Sequence, residues 1–228
     1  MAAETRKELC ERLFAESMAG TTERAWLDGL FTAYEQSDKL SVQHFLADEV
    51  LFTGGHVKRA ILEKIIAPIV LAAGGRYEPR FTEVHDVRTS HYTLYRLGEL
   101  AITLSAVGER SQPLRAARFR EEYQAGRIPK SDMAFSFVLD PIPEPAEDST
   151  AWIVFKHGKK RIDSSIPQFA VFQGLDQRGF VVWNYDLFAA QIDLAEDLLN
   201  KRATQIPDDG GIPTLKEHLR RIRERRKS

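Results

Sequence analysis

The spacing of apolar residues changes near Arg76, and this change constrains the fold more than any other feature of the chain. Up to Ala73 apolar side chains recur every three or four residues, the period of a helix with one buried face. Beyond Arg76 they alternate, the period of a strand. Helices first and strands afterwards imply an α+β layout rather than alternating βαβ units.

The first helix is expected over residues 4–18, with Leu9, Leu13 and Phe14 on one side and Gly20 as its stop. Thr21 and Thr22 offer caps for a second helix over residues 23–36. There Trp26, Leu27, Leu30, Phe31 and Tyr34 form one apolar face. Ser41 is placed to cap a short third helix ending near Ala47. Residues 58–73 are apolar on most sides and predict a buried helix kinked at Pro68, which has no N–H to donate. Strands are expected over residues 81–87, 92–97, 100–107, 133–140, 151–156, 168–173 and 180–185. Gly98 suits a tight turn between the second and third of these. A helix is expected over residues 114–124, and an exposed, proline-rich acidic loop over residues 140–149. Short turns between strands imply a mainly antiparallel sheet.

The expected organisation is one α+β domain over residues 1–206, helical over 1–75, sheet-rich over 76–186 and helical again over 187–203. A linker over 207–213 and a basic C-terminal helix over 214–228 follow. Charge is divided unevenly. Residues 214–228 hold seven basic and two acidic groups, while the rest of the chain holds 25 basic and 31 acidic. Such a basic end marks contact with nucleic acid or another anionic surface.

Composition excludes several classes. The hydrophobic fraction of 43% and charged fraction of 29% argue against disorder. No apolar run approaches the roughly 18 residues that span a bilayer, so no membrane contact is expected. Cys10 is the single cysteine, so an internal disulfide is excluded and a cytoplasmic location is expected. Residues 1–20 mix charges with apolar groups, and no secretory leader is expected.

The common catalytic signatures are missing. The chain has no phosphate loop, no dinucleotide fingerprint and no GxSxG elbow. The glycine pairs at 54–55, 74–75 and 210–211 read as caps or turns. One cysteine and six scattered histidines lack zinc spacing, so neither a metal nor a cofactor is expected. His85 and His91, with Glu83 and Asp86, read as a solvated polar turn, and Cys10 reads as a packed side chain. Residues 157–165 contain His, Asp and Ser but read as a charged turn. A weak nuclease pattern remains, with Asp140 ending one strand and Lys156 near the end of the next. Val154 stands where that pattern needs its second acid, which would have to come from Glu99, Glu144 or Asp163.

Basic residues form three groups. Arg110, Arg115, Arg118 and Arg120 run into Glu121 and Glu122 and read as a solvated face. Lys156, Lys159, Lys160 and Arg161 form a second group, and Arg220, Arg221, Arg223, Arg225 and Arg226 a third. Clustered cations neutralise phosphates and release counterions. The expected function is a non-catalytic module that binds nucleic acid or another anionic partner through the second and third groups. The alternatives are a protein–protein interaction subunit or homo-oligomer, and a metal-dependent nuclease with a degenerate site at Asp140 and Lys156. Leu215, Leu219 and Ile222 form one stripe on the terminal helix, available to dock on the body, a second copy or a partner.

Overall fold

Thr5 opens the first helix with a reciprocal cap. Its backbone N–H donates to Glu8 Oε2 at 2.8 Å, and the Glu8 N–H donates to Thr5 Oγ1 at 3.3 Å. The computed structural model describes residues 4–18, 20–44, 47–84, 87–114, 150–158, 165–176 and 178–227. Three helices come first: α1 (Arg6–Met18), α2 (Thr21–His44) and α3 (Ala47–Ala72). Six strands follow: β1 (Arg76–Val84), β2 (Val87–Leu97), β3 (Leu100–Ala106), β4 (Ala151–Gly158), β5 (Phe169–Leu175) and β6 (Val181–Asp186). Helices α4 (Leu187–Ala190), α5 (Ile192–Gln205) and α6 (Gly211–Lys227) complete the α+β layout.

The strands form one sheet in chain order. Every neighbouring pair is antiparallel except β3 and β4, which run parallel with Ile102 opposite Ile153. Parallel neighbours need a long connection, and here it is the chain between Ala106 and Ala151. Gly98 turns the β2–β3 hairpin with φ of 57°.

One face of the sheet carries the core. Trp26 of α2 is fully buried, with Tyr95, Phe155 and Phe172 rings 6.0, 5.1 and 5.3 Å from its own. Phe14 of α1 packs on Phe172, Trp183 and Tyr185 at 4.6–5.0 Å. Burial of such rings supplies most of the driving force for folding.

The helical third differs from expectation in two respects. α2 continues to His44 and α3 begins at Ala47, so the short helix capped by Ser41 is absorbed. Ser37 and Ser41 are both buried, four residues apart on one face. Their polar side chains end the apolar pattern in the sequence while the helix runs on. Gly54 and Gly55 lie inside α3 rather than in a turn. The expected helix over 114–124, the strand over 133–140 and the loop over 140–149 lie outside the described residues.

Gly158 marks a close approach of chains. A Cβ there would lie 1.8 Å from the Val107 carbonyl oxygen and 2.8 Å from the Phe169 ring. The adjacent His157 carbonyl accepts from Val107 N–H at 2.9 Å. Gly158→Ala must therefore displace backbone and is expected to cost about 2 kcal/mol. Urea unfolding measures this; an unchanged midpoint would contradict the close approach.

Candidate anion-binding cleft at the terminal helix

The terminal helix is built into the body. Ile212, Leu215, Leu219 and Ile222 are all buried, the i, i+3, i+7 and i+10 positions of one stripe. The stripe read from the sequence thus docks on the chain's own core. The turn leading into α6 is pinned by Asp209. Its Oδ1 accepts from Gly211 N–H at 2.8 Å, and its Oδ2 accepts from Ser165 N–H at 2.9 Å and from the Ser165 hydroxyl. Arg202 of α5 donates to Ser165 Oγ at 3.2 Å and pairs with Glu35 of α2 at 3.4 Å. Gln168 Nε2 donates to the Gly211 carbonyl at 3.0 Å. Four segments distant in sequence are joined in this buried network.

The outward side of α6 is partly neutralised. Arg220 pairs with Glu217 and Glu224, and Arg221 with Glu217 at 2.7 Å. Arg223 reaches across to Asp193 and Glu196 of α5, both at 2.6 Å. Arg226 and Lys227, in the last turn, are exposed and make no ion pair with the described residues.

Beside this helix lies an open cleft of about 840 Å³. Thr214, Glu217, His218 and Arg221 of α6 line it together with Glu109, Arg110 and Ser111 of the segment after β3. Arg110 Nη1 lies 2.7 Å from Asp186 Oδ2. Asp186 also caps α4, its Oδ1 accepting from Ala189 N–H at 3.1 Å. His218 Nε2 is buried and has no hydrogen-bond partner among the described residues. Burial holds the His218 imidazole below its ordinary proton affinity; Asp186 opposes this, and Arg110, Arg225 and Arg221 reinforce it. Three guanidinium groups therefore act on one corner of the cleft.

The residues singled out in the sequence are distributed differently. Lys156 is 4% exposed, and its ammonium donates to the carbonyl oxygens of Arg110, at 2.7 Å, and Gln112. Burial, then Arg110, lowers its proton affinity. Lys156 thus fastens the segment after β3 to the sheet. His157, read as part of a charged turn, lies within β4, buried, with Nδ1 3.1 Å from the Tyr34 hydroxyl. Asp140, Lys159, Lys160, Arg161, His85 and Asp86 lie outside the described residues. Glu83 stands opposite Arg88, and His91 opposite Phe81, on the β1–β2 pair. Among the described residues no three His, Cys, Asp or Glu side chains gather as a metal site. Cys10 is buried, which pushes its thiol up. Among the described residues no helix is long and apolar enough to cross a membrane.

Arg110, Asp186 and His218 were not apparent as a group in the sequence. They come from three elements, and only the sheet order and the docking of α6 bring them together. Comparison with protein-family models, curated proteins and solved structures found no match to this chain.

Proposed function

We propose that this chain is a non-catalytic binding module for an anionic partner, nucleic acid in the first place. The observation that carries this reading is the fixed position of the cations on α6. Its buried stripe anchors the helix, so Arg225, Arg226 and Lys227 are held at the surface of a rigid element. Cations on an ordered helix lose less conformational freedom on binding than cations on a free tail. Arg110 and Arg221 add two further cations in the neighbouring cleft, beside Glu109 and Glu217.

Fluorescence anisotropy of labelled single- and double-stranded oligonucleotides, read over a range of salt, tests the proposal. Binding is expected to weaken linearly on a log–log plot. Replacing Arg225, Arg226 and Lys227 together by Gln is expected to reduce the slope by about two to three, near 0.9 per phosphate contact in duplex DNA. Thermal unfolding of the variant should match the parent, because all three side chains are exposed. No binding at low salt, or an unchanged slope, would end this reading.

A further inference from the structure

The geometry points to a phosphate-group site in the cleft between α6 and the 109–111 segment, with Arg110 and Arg221 as its ligating side chains. The cleft is concave and lies within the size range of small-molecule sites. Its two arginines line it together, and each has only part of its fork engaged. Arg110 meets Asp186 through one terminal nitrogen, and Arg221 meets Glu217 through Nε. Each therefore keeps further N–H groups for a second acceptor, and a guanidinium fork matches a tetrahedral oxyanion. The hydroxyls of Ser111 and Thr214 lie on the same lining.

The acids nearby already have partners of their own. Asp186 holds Arg110 and caps α4, and Glu217 serves both Arg220 and Arg221. Glu109 accepts from the Ser111 hydroxyl at 3.4 Å. His218 reports on the site rather than ligating through Nε2, which is closed off from solvent. The charged groups around it are Arg221 and Arg225 on its own helix, Arg110 from the segment after β3 and Asp186 from the end of β6. Glu109 and Glu217 line the same cleft. A dianion seated between the guanidinium groups offsets their repulsion of the imidazolium. His218 then takes up a proton more readily.

The phosphate could arrive as a free phosphomonoester or as the terminal phosphate of a nucleic-acid strand. Only the second source rests on the function proposed above. The test follows the His218 imidazole by NMR during pH titration of the full chain, with inorganic phosphate exchanged for chloride at constant ionic strength. Phosphate is expected to raise the His218 midpoint and to saturate. Arg221→Gln is expected to weaken the apparent phosphate affinity about tenfold, the loss of one charge-assisted contact. Lys216→Gln, on the same helix but outside the cleft, should leave it unchanged. In a second arm, 5′-phosphorylated and 5′-hydroxyl oligonucleotides compete at fixed salt. Preference for the phosphorylated strand assigns the site to strand ends, and equal competition assigns it to a free phosphomonoester. A His218 midpoint indifferent to phosphate, or an apparent phosphate affinity unchanged in Arg221→Gln, overturns the site whatever the oligonucleotide binding shows.

Discussion

A chain cut after Gln205 is expected to lose its cooperative unfolding transition. The cut removes Ile212, Leu215, Leu219 and Ile222, all of them buried. At about 1.5–3 kcal/mol for each buried side chain, the loss is about 6–12 kcal/mol. That is as large as the whole stability of a typical domain, about 5–15 kcal/mol. The cut also uncovers Leu199 of α5 and removes Asp209, the acceptor for Ser165 N–H and Oγ. Ser165 and Arg202 would then be left with buried polar groups short of partners, a further cost. Urea unfolding followed by Trp fluorescence reads the result. Leu219→Ala alone is expected to lower stability by about 3 kcal/mol. A truncated chain that unfolds sharply at the parental midpoint would show that α6 is an appendage. The basic helix therefore has to be probed by exposed substitutions, since deletion would report on folding.

How much of this could be read beforehand depended on whether the signal was periodic. The helix faces at Leu9, Leu13 and Phe14 and at Trp26, Leu30 and Tyr34 repeat at helical spacing, and all are buried. The turn at Gly98 follows from one residue able to adopt positive φ. Ser37 and Ser41 broke the apolar pattern and hid the continuation of α2. The parallel pairing of β3 with β4 depends on a long connection, which strand composition does not encode. Lys156 closes a strand read as ending at the surface, yet its charge is met by two backbone carbonyls from a segment more than forty residues earlier. Nothing local to AWIVFK announces those acceptors. The same holds for the cleft. Arg110 sits next to acidic Glu109 in the sequence, and its real partner, Asp186, is supplied by the far edge of the sheet. Long-range polar contacts of this kind are set by topology, and topology is what a single sequence discloses least.

Acid is expected to destabilise this protein through the buried His157 imidazole, beginning before ordinary carboxylates titrate. His157 is enclosed among Phe155, Tyr34 and the core. Burial, and then the positive charge of Lys58, pushes its pKa from 6.5 down to about 3. Lys58 itself lies over the Tyr34 ring at 4.1 Å. Burial pushes the Tyr34 phenol up, so it keeps its proton, which it can donate to His157 Nδ1 when the neutral imidazole carries its own on Nε2. An imidazolium would carry a proton on that nitrogen, and the Tyr34 hydroxyl would then have to turn from donor to acceptor. The sign follows from the order of proton uptake. Below pH 6.5 the unfolded chain binds the proton and the folded chain does not, so protonation favours unfolding. The stability associated with neutral His157 is thus complete above 6.5 and is lost as pH falls toward 3, at about 1.4 kcal/mol per pH unit. His157→Asn retains a polar group near the Nδ1 position for Tyr34 but has nothing to titrate. Urea unfolding at pH 7.5 and pH 4.5 is the measurement. The parent is expected to lose about 2–3 kcal/mol more than His157→Asn between these conditions. Equal losses in the two proteins would mean that His157 takes up its proton in the folded state at an ordinary pH, and that the closed Tyr34–His157 pair does not exist in solution.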